Sequence, residues 1–266
     1  MAGQPGTAVV VDVDSGRLLA GYRLAVGART LASPGSTLKP FALVALLESG
    51  KVTPETALVC KRRVRIGGQS LDCTHVETVE PLDTVAALAY SCNFYFDQQA
   101  RLLDARELAE SLRRAGLTSP SKLVEEEATG TVRVAASEEE KQLEALGHAG
   151  VETTPLALLM AYRQLALKRK QPGHQTLDPV FAGLEAATEY GTGQLAQPEG
   201  LRVAGKTGTA RARAGAWTHA WFVGYAPADK PEVAIVVFLE RGRGGSDAAP
   251  LAGKILAAWQ AQRSRR

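Results

Sequence analysis

Ser36-Thr37-Leu38-Lys39 sets a hydroxyl and an amine three residues apart, on one face of a helix if a helix starts there. Ser33-Pro34-Gly35 ahead of it reads as a loop, and Phe41 to Leu47 behind it is apolar nearly all round, the pattern of a buried helix. Ser36 is thus expected at a buried helix start, where backbone N–H groups and the positive end of the dipole favour a developing oxyanion. A partly buried Lys39 loses basicity and can take the serine proton, converting a weak nucleophile into an attacking one. Pro40 is tolerated because it falls in the first turn. A plain helix cap is the alternative for Ser36. Chance alone yields a Ser-x-x-Lys match about once in a chain this long. The second match here, Ser119 to Lys122, contains a proline and precedes no buried helix.

Two further sets carry polar chemistry. Ser91-Cys92-Asn93 follows a helical stretch, and Asn93 is the only asparagine in the chain. The hydroxyl of Ser91 can relay a proton, while the Asn93 amide can hold both a lysine and a substrate carbonyl. A turn or cap is the alternative. Lys206-Thr207-Gly208-Thr209 falls on a predicted strand, and glycine within a strand usually marks close approach of a ligand or another backbone. Such an edge could accept an extended peptide, with Lys206 and Thr209 donating to a carboxylate. A solvent-facing strand with a bulge is the alternative.

The elements that must position these groups alternate in type along the chain. Thr7 to Tyr22 reads as a hairpin turning at Asp14-Ser15-Gly16. Helical periodicity dominates from Ser36 to about Gly200, in 38–48, 82–103, 105–115 and 154–167. Strand character returns in 201–210, 216–226 and 232–240, and a helix closes the chain from about Asp247 to Gln262. Strands at both ends bury their apolar faces most economically in one sheet. The expected class is α+β: a mostly antiparallel sheet of about five strands, two N-terminal and three C-terminal, flanked by helices. The whole of 1–266 is read as one domain, with the sheet part in about 1–35 and 200–266 and a largely helical part, about 36–199, inserted.

Taken together, the order Ser-x-x-Lys, Ser-x-Asn, Lys-Thr-Gly resembles the penicillin-recognising serine enzymes. Pro34 to Pro40, Gly147-His148-Ala149-Gly150 with Thr154-Pro155-Leu156, and Trp221 to Pro227 are similar to penicillin-binding-protein transpeptidase segments. The resemblance implies Ser36 as acylated nucleophile, Lys39 as its base and Ser91 as proton relay to the leaving group. It implies Asn93 for the substrate amide, Lys206, Thr207, Gly208 and Thr209 for the substrate and its terminal carboxylate, and the N–H groups of Ser36 and Thr209 as oxyanion hole. The implied activity is a D,D-transpeptidase or carboxypeptidase on D-Ala-D-Ala stem peptides of peptidoglycan, acylated by β-lactams and needing no cofactor. A class D-like β-lactamase is the alternative; the Glu-x-x-Leu-Asn pattern of class A enzymes is missing. A β-lactam-sensing module is the third reading.

Composition narrows the partners. The 266 residues are 45% hydrophobic and 22% charged, ordinary globular proportions. A formal charge of +3 sits in local clusters such as Lys168-Arg169-Lys170, without the basic stripe and interleaved aromatics of a nucleic-acid binder. No apolar run approaches the roughly 20 residues of a membrane span, and the first residues do not read as a signal peptide. The expectation is an extracytoplasmic domain that meets the membrane only through an anchor absent from this chain. Cys60 and Cys73 bracket a predicted hairpin turn, Arg65 to Gln69, and are expected to pair as a disulfide, with two free thiols the alternative. His75 adds a zinc-type ligand, but no second ligand pair has a zinc-site spacing, so no metal is expected.

Overall fold

The computed structural model describes residues 5–77, 80–212 and 215–265; the first four residues and Arg266 lie outside them. Strand β1 (Gly6–Asp12) pairs antiparallel with β2 (Leu18–Tyr22) across a turn in which Ser15 N–H donates to the Asp12 carboxylate at 2.7 Å. Helix α1 (Leu24–Arg29) and a one-turn helix, Gly35–Leu38, lead into α2 (Lys39–Glu48). A short hairpin, β3 (Arg65–Ile66) and β4 (Gln69–Ser70), turns on Gly67-Gly68, both at positive φ. Helices α3 (Thr84–Ala89), α4 (Asn93–Ala100) and α5 (Ala105–Arg114) follow, then β5 (Thr131–Val132), α6 (Glu138–Ala145) and β6 (Val151–Glu152). Helices α7 (Pro155–Lys170) and α8 (Asp178–Glu189) precede β7 (Ala204–Arg211), β8 (Thr218–Ala226), β9 (Val233–Leu239) and α9 (Ala249–Arg263).

The main sheet is α+β as expected, five antiparallel strands in the order β2-β1-β9-β8-β7. Both faces are apolar because both are covered. Val9, Val11, Val223, Val236 and Phe238 alternate onto the face that carries α7 and the central helices, while Val10, Phe222, Ile235 and Val237 meet Ala252 and Leu256 of α9. Strand β7 ends the sheet, so one of its edges is left facing the helical layer.

Two departures from the sequence reading have local causes. The stretch 82–103 is not one helix: Ser91 stands at φ 57, a left-handed conformation that an α-helix cannot continue through, and α4 restarts with Cys92 as cap, its sulfur accepting from Tyr95 N–H. The Cys60–Cys73 disulfide is also corrected. All three cysteines are free, and the Cys60 and Cys73 sulfurs stand 3.6 Å apart, well beyond the ~2.05 Å of a bond, because both point at a shared centre with His75 and Cys92.

Candidate active site

Pro34 and Gly35 bring the chain into the turn that carries Ser36. Thr37 Oγ1 donates to the Pro34 carbonyl at 2.7 Å, and the Thr37 carbonyl accepts from the buried Tyr162 hydroxyl at 2.8 Å. Phe41 packs edge-on against the same tyrosine ring, centroids 5.3 Å apart. These contacts fix the start of α2 from the α7 side, so Ser36 is half-buried and Lys39 fully buried.

Lys39 Nζ donates to the Ser91 carbonyl at 2.7 Å, to Ser91 Oγ at 3.2 Å and to Asn93 Oδ1 at 2.5 Å. The break between α3 and α4 therefore has a purpose legible in geometry: positive φ at Ser91 turns both its carbonyl and its hydroxyl toward the lysine. Asn93 Nδ2 donates onward to the Leu71 carbonyl at 2.8 Å, which ties the turn to the segment after the β3-β4 hairpin. Burial lowers the Lys39 ammonium to about 8, so a substantial neutral fraction exists near neutral pH.

The third wall is β7. Gly208 lies so close to the serine turn that a Cβ there would stand 2.7 Å from the Pro34 carbonyl oxygen and 2.9 Å from Thr37 Cγ2. Gly35, at φ 56, makes the reciprocal approach to the Thr209 carbonyl. Lys206 is buried, and its amine reaches Thr192 Oγ1 and the Thr207 carbonyl, both at 3.3 Å. Burial first, and then repulsion from Lys39, push Lys206 well below its usual range, and the same two causes lower His148 to about 4. Thr207 Oγ1 donates to Thr192 Oγ1 at 2.8 Å, and Thr209 Oγ1 accepts from Gly244 N–H at 3.0 Å.

The structure thus gathers Ser36, Lys39, Ser91, Asn93 and the Lys206 to Thr209 strand into one place. Ser119 to Lys122 stays apart in a loop, where Ser121 is spent on the Glu127 carboxylate. Thr192 was missed by sequence reading; its one local signal is the flanking Gly191 and Gly193. A cleft of about 550 Å³ opens beside the Ser33 loop and the Ala210 end of β7, lined also by Arg133, His148, Arg211 and His219 among others.

The model of the penicillin binding protein transpeptidase domain matches residues 6–257. The chain belongs to this family. Among curated relatives of the transpeptidase domain, the peptidoglycan D,D-transpeptidase FtsI of Escherichia coli K12 is 27% identical over 95% of this chain and 50% of its own length. Stage V sporulation protein D of Bacillus subtilis is 27% identical over 84% of the chain and 41% of its own length. The chain therefore spans about half or less of these relatives. The transpeptidase domain of Burkholderia pseudomallei penicillin-binding protein 3 superposes with a TM-score of 0.85, at 23% identity, over 97% of this chain and 88% of that one, which shows the shared fold.

Proposed function

We propose that the domain is a serine D,D-transpeptidase or carboxypeptidase that acts on the D-Ala-D-Ala end of peptidoglycan stem peptides through a Ser36 acyl-enzyme, and that β-lactams trap it. The observation that carries this reading is the three-way attachment of Lys39 to the Ser91 carbonyl, Ser91 Oγ and Asn93 Oδ1. In a neutral amine two of those contacts use both hydrogens, which leaves the lone pair for a hydroxyl proton.

Ser36 Oγ attacks the carbonyl carbon of the penultimate D-Ala as its proton passes to Lys39. The oxyanion is met by the N–H groups of Ser36 and Thr209. Collapse breaks the C–N bond, and the departing D-Ala amine takes a proton from Lys39 through Ser91 Oγ, so the lysine returns to its neutral form. An acceptor amine or water then attacks the ester, loses a proton along the same path and frees Ser36. The open edge of β7 takes the donor peptide as an added strand, Asn93 Nδ2 keeps a second hydrogen for its amide carbonyl, and Lys206 with Thr209 faces the terminal carboxylate. Peptidoglycan lies outside the cytoplasmic membrane, so the proposed place of action is extracytoplasmic. Among the described residues no helix is long and apolar enough to cross a membrane.

The test is to mix the chain with excess penicillin and follow intact mass and free drug together. A lasting single adduct that Ser36→Ala abolishes is expected. Rapid catalytic loss of drug with a fleeting adduct would replace this reading by a β-lactamase, and an adduct on Ser36→Ala would remove Ser36 as nucleophile.

A further inference from the structure

Next to the Ser91 turn, Cys60 Sγ, Cys73 Sγ, Cys92 Sγ and a His75 ring nitrogen all lie within 4.8 Å of one another. The sulfurs are separated by 3.6 Å (Cys60 to Cys73), 3.8 Å (Cys73 to Cys92) and 3.4 Å (Cys92 to Cys60), and His75 Nε2 is 3.6 Å from Cys60 Sγ. A tetrahedral zinc ion with ordinary Zn–S and Zn–N bonds requires S···S edges of about 3.8 Å and S···N edges of about 3.5 Å. Four of the six edges fall within about 0.4 Å of those figures, and every pair lies within 4.8 Å.

The surroundings are those of ligands. Each sulfur accepts a backbone N–H: Arg62 to Cys60 at 3.3 Å, Phe94 to Cys73 at 3.3 Å and Tyr95 to Cys92 at 3.4 Å, a shell that suits thiolates. His75 Nδ1 lies 2.7 Å from the Val76 carbonyl, which can only accept, so Nδ1 carries the hydrogen and Nε2 presents its lone pair to the sulfurs. Cys73, His75 and Cys92 are buried, with exposures of 6%, 8% and 0%. A single disulfide would leave one thiol and the imidazole buried without use, whereas a metal employs all four.

We propose that Cys60, Cys73, His75 and Cys92 form a closed structural zinc site that clamps the Ser91-Cys92-Asn93 turn. Three thiolates and an imidazole select a soft divalent ion, and four protein ligands leave no coordination position for substrate, so the ion is structural. Each ligating thiol gives its proton to solvent on binding. Cys92 stands between the two polar residues of the motif, and Asn93 is already tied to Leu71, between the β3-β4 hairpin and Cys73. The left-handed Ser91 is thereby held by its bonds to Lys39 and by the metal on its neighbour Cys92.

The site is tested on the full chain purified without chelator, by elemental analysis and native mass spectrometry, with Ser36→Ala measured alongside because metal content does not depend on catalysis. About one zinc per chain is expected in both, with thiols that react only after chelation. Cobalt exchanged into the wild-type protein is expected to show the intense visible bands of a tetrahedral site and thiolate charge transfer. His75→Ala should lower metal affinity about 10- to 100-fold. A zinc-free protein that fails to take up added zinc or cobalt, or a denatured non-reduced mass revealing a Cys60–Cys73 disulfide, would overturn the site. Full retention of penicillin acylation after zinc is withdrawn would overturn the clamp.

Discussion

The hydroxyl of Tyr162 donates to the carbonyl of Thr37 at 2.8 Å, joining the middle of α7 to the turn that carries Ser36. Both groups are buried, so Tyr162→Phe strands a carbonyl without a donor. We expect a loss of about 1–2 kcal/mol in denaturant unfolding, with penicillin acylation slowed because the serine turn is no longer held. Unchanged stability and unchanged acylation together would show that the contact does not matter.

Burial holds Lys39 at about 8. If the neutral amine accepts the Ser36 proton, the second-order acylation rate should climb about tenfold per pH unit below that value and level off above it. Stopped-flow acylation by a chromogenic β-lactam checks this; a flat profile from about pH 6 to about pH 9 would rule the role out.

Gly208 offers no room for a side chain beside Pro34 and Thr37. Gly208→Ala must push β7 away from the serine turn, at a cost of about 1–3 kcal/mol. Because reacting groups displaced by an ångström lose on the order of 10²-fold in rate, acylation should suffer far more than folding does. Circular dichroism and labelled-penicillin kinetics on the same sample separate the two.

Thr192 supplies one hydroxyl to both Lys206 and Thr207. Thr192→Val keeps its shape and removes those bonds. The β-lactam concentration for half-maximal acylation is expected to rise about tenfold, equivalent to roughly 1.4 kcal/mol, while the limiting rate changes less. An effect confined to the limiting rate would place Thr192 outside substrate positioning.

Glu144 is fully buried, and among the described residues neither of its carboxylate oxygens meets a hydrogen-bond donor. Burial pushes it up to about 7 from an ordinary 4.5. The folded state thus binds a proton that the unfolded chain releases, so this stabilising share is complete below about 4.5 and disappears as pH rises through about 7. Glu144→Gln should flatten that part of the stability–pH curve. Identical curves for variant and parent in thermal melts would refute the assignment.

Sequence alone determined the class and the reactive pieces. The β-branched apolar runs in Val9 to Val13 and 232–240, and the apolar run after Ser36, are short-range properties that set strand or helix before any long-range contact forms. Strand ends shifted by one to three residues, as between the expected 201–210 and the observed Ala204–Arg211. The break at Ser91 escaped the pattern because apolar periodicity continues across it, and only Lys39, 52 residues earlier in the chain, gives its left-handed turn a partner. Tertiary structure alone decided what long-range packing controls. Lys39 and Lys206 lose basicity because neighbouring elements exclude water from them. Thr192 joins Lys206 through the placement of α8 beside β7. Cys92 joins Cys60, Cys73 and His75 in one cluster because the fold brings the Cys60 and Cys92 segments, 32 residues apart, together.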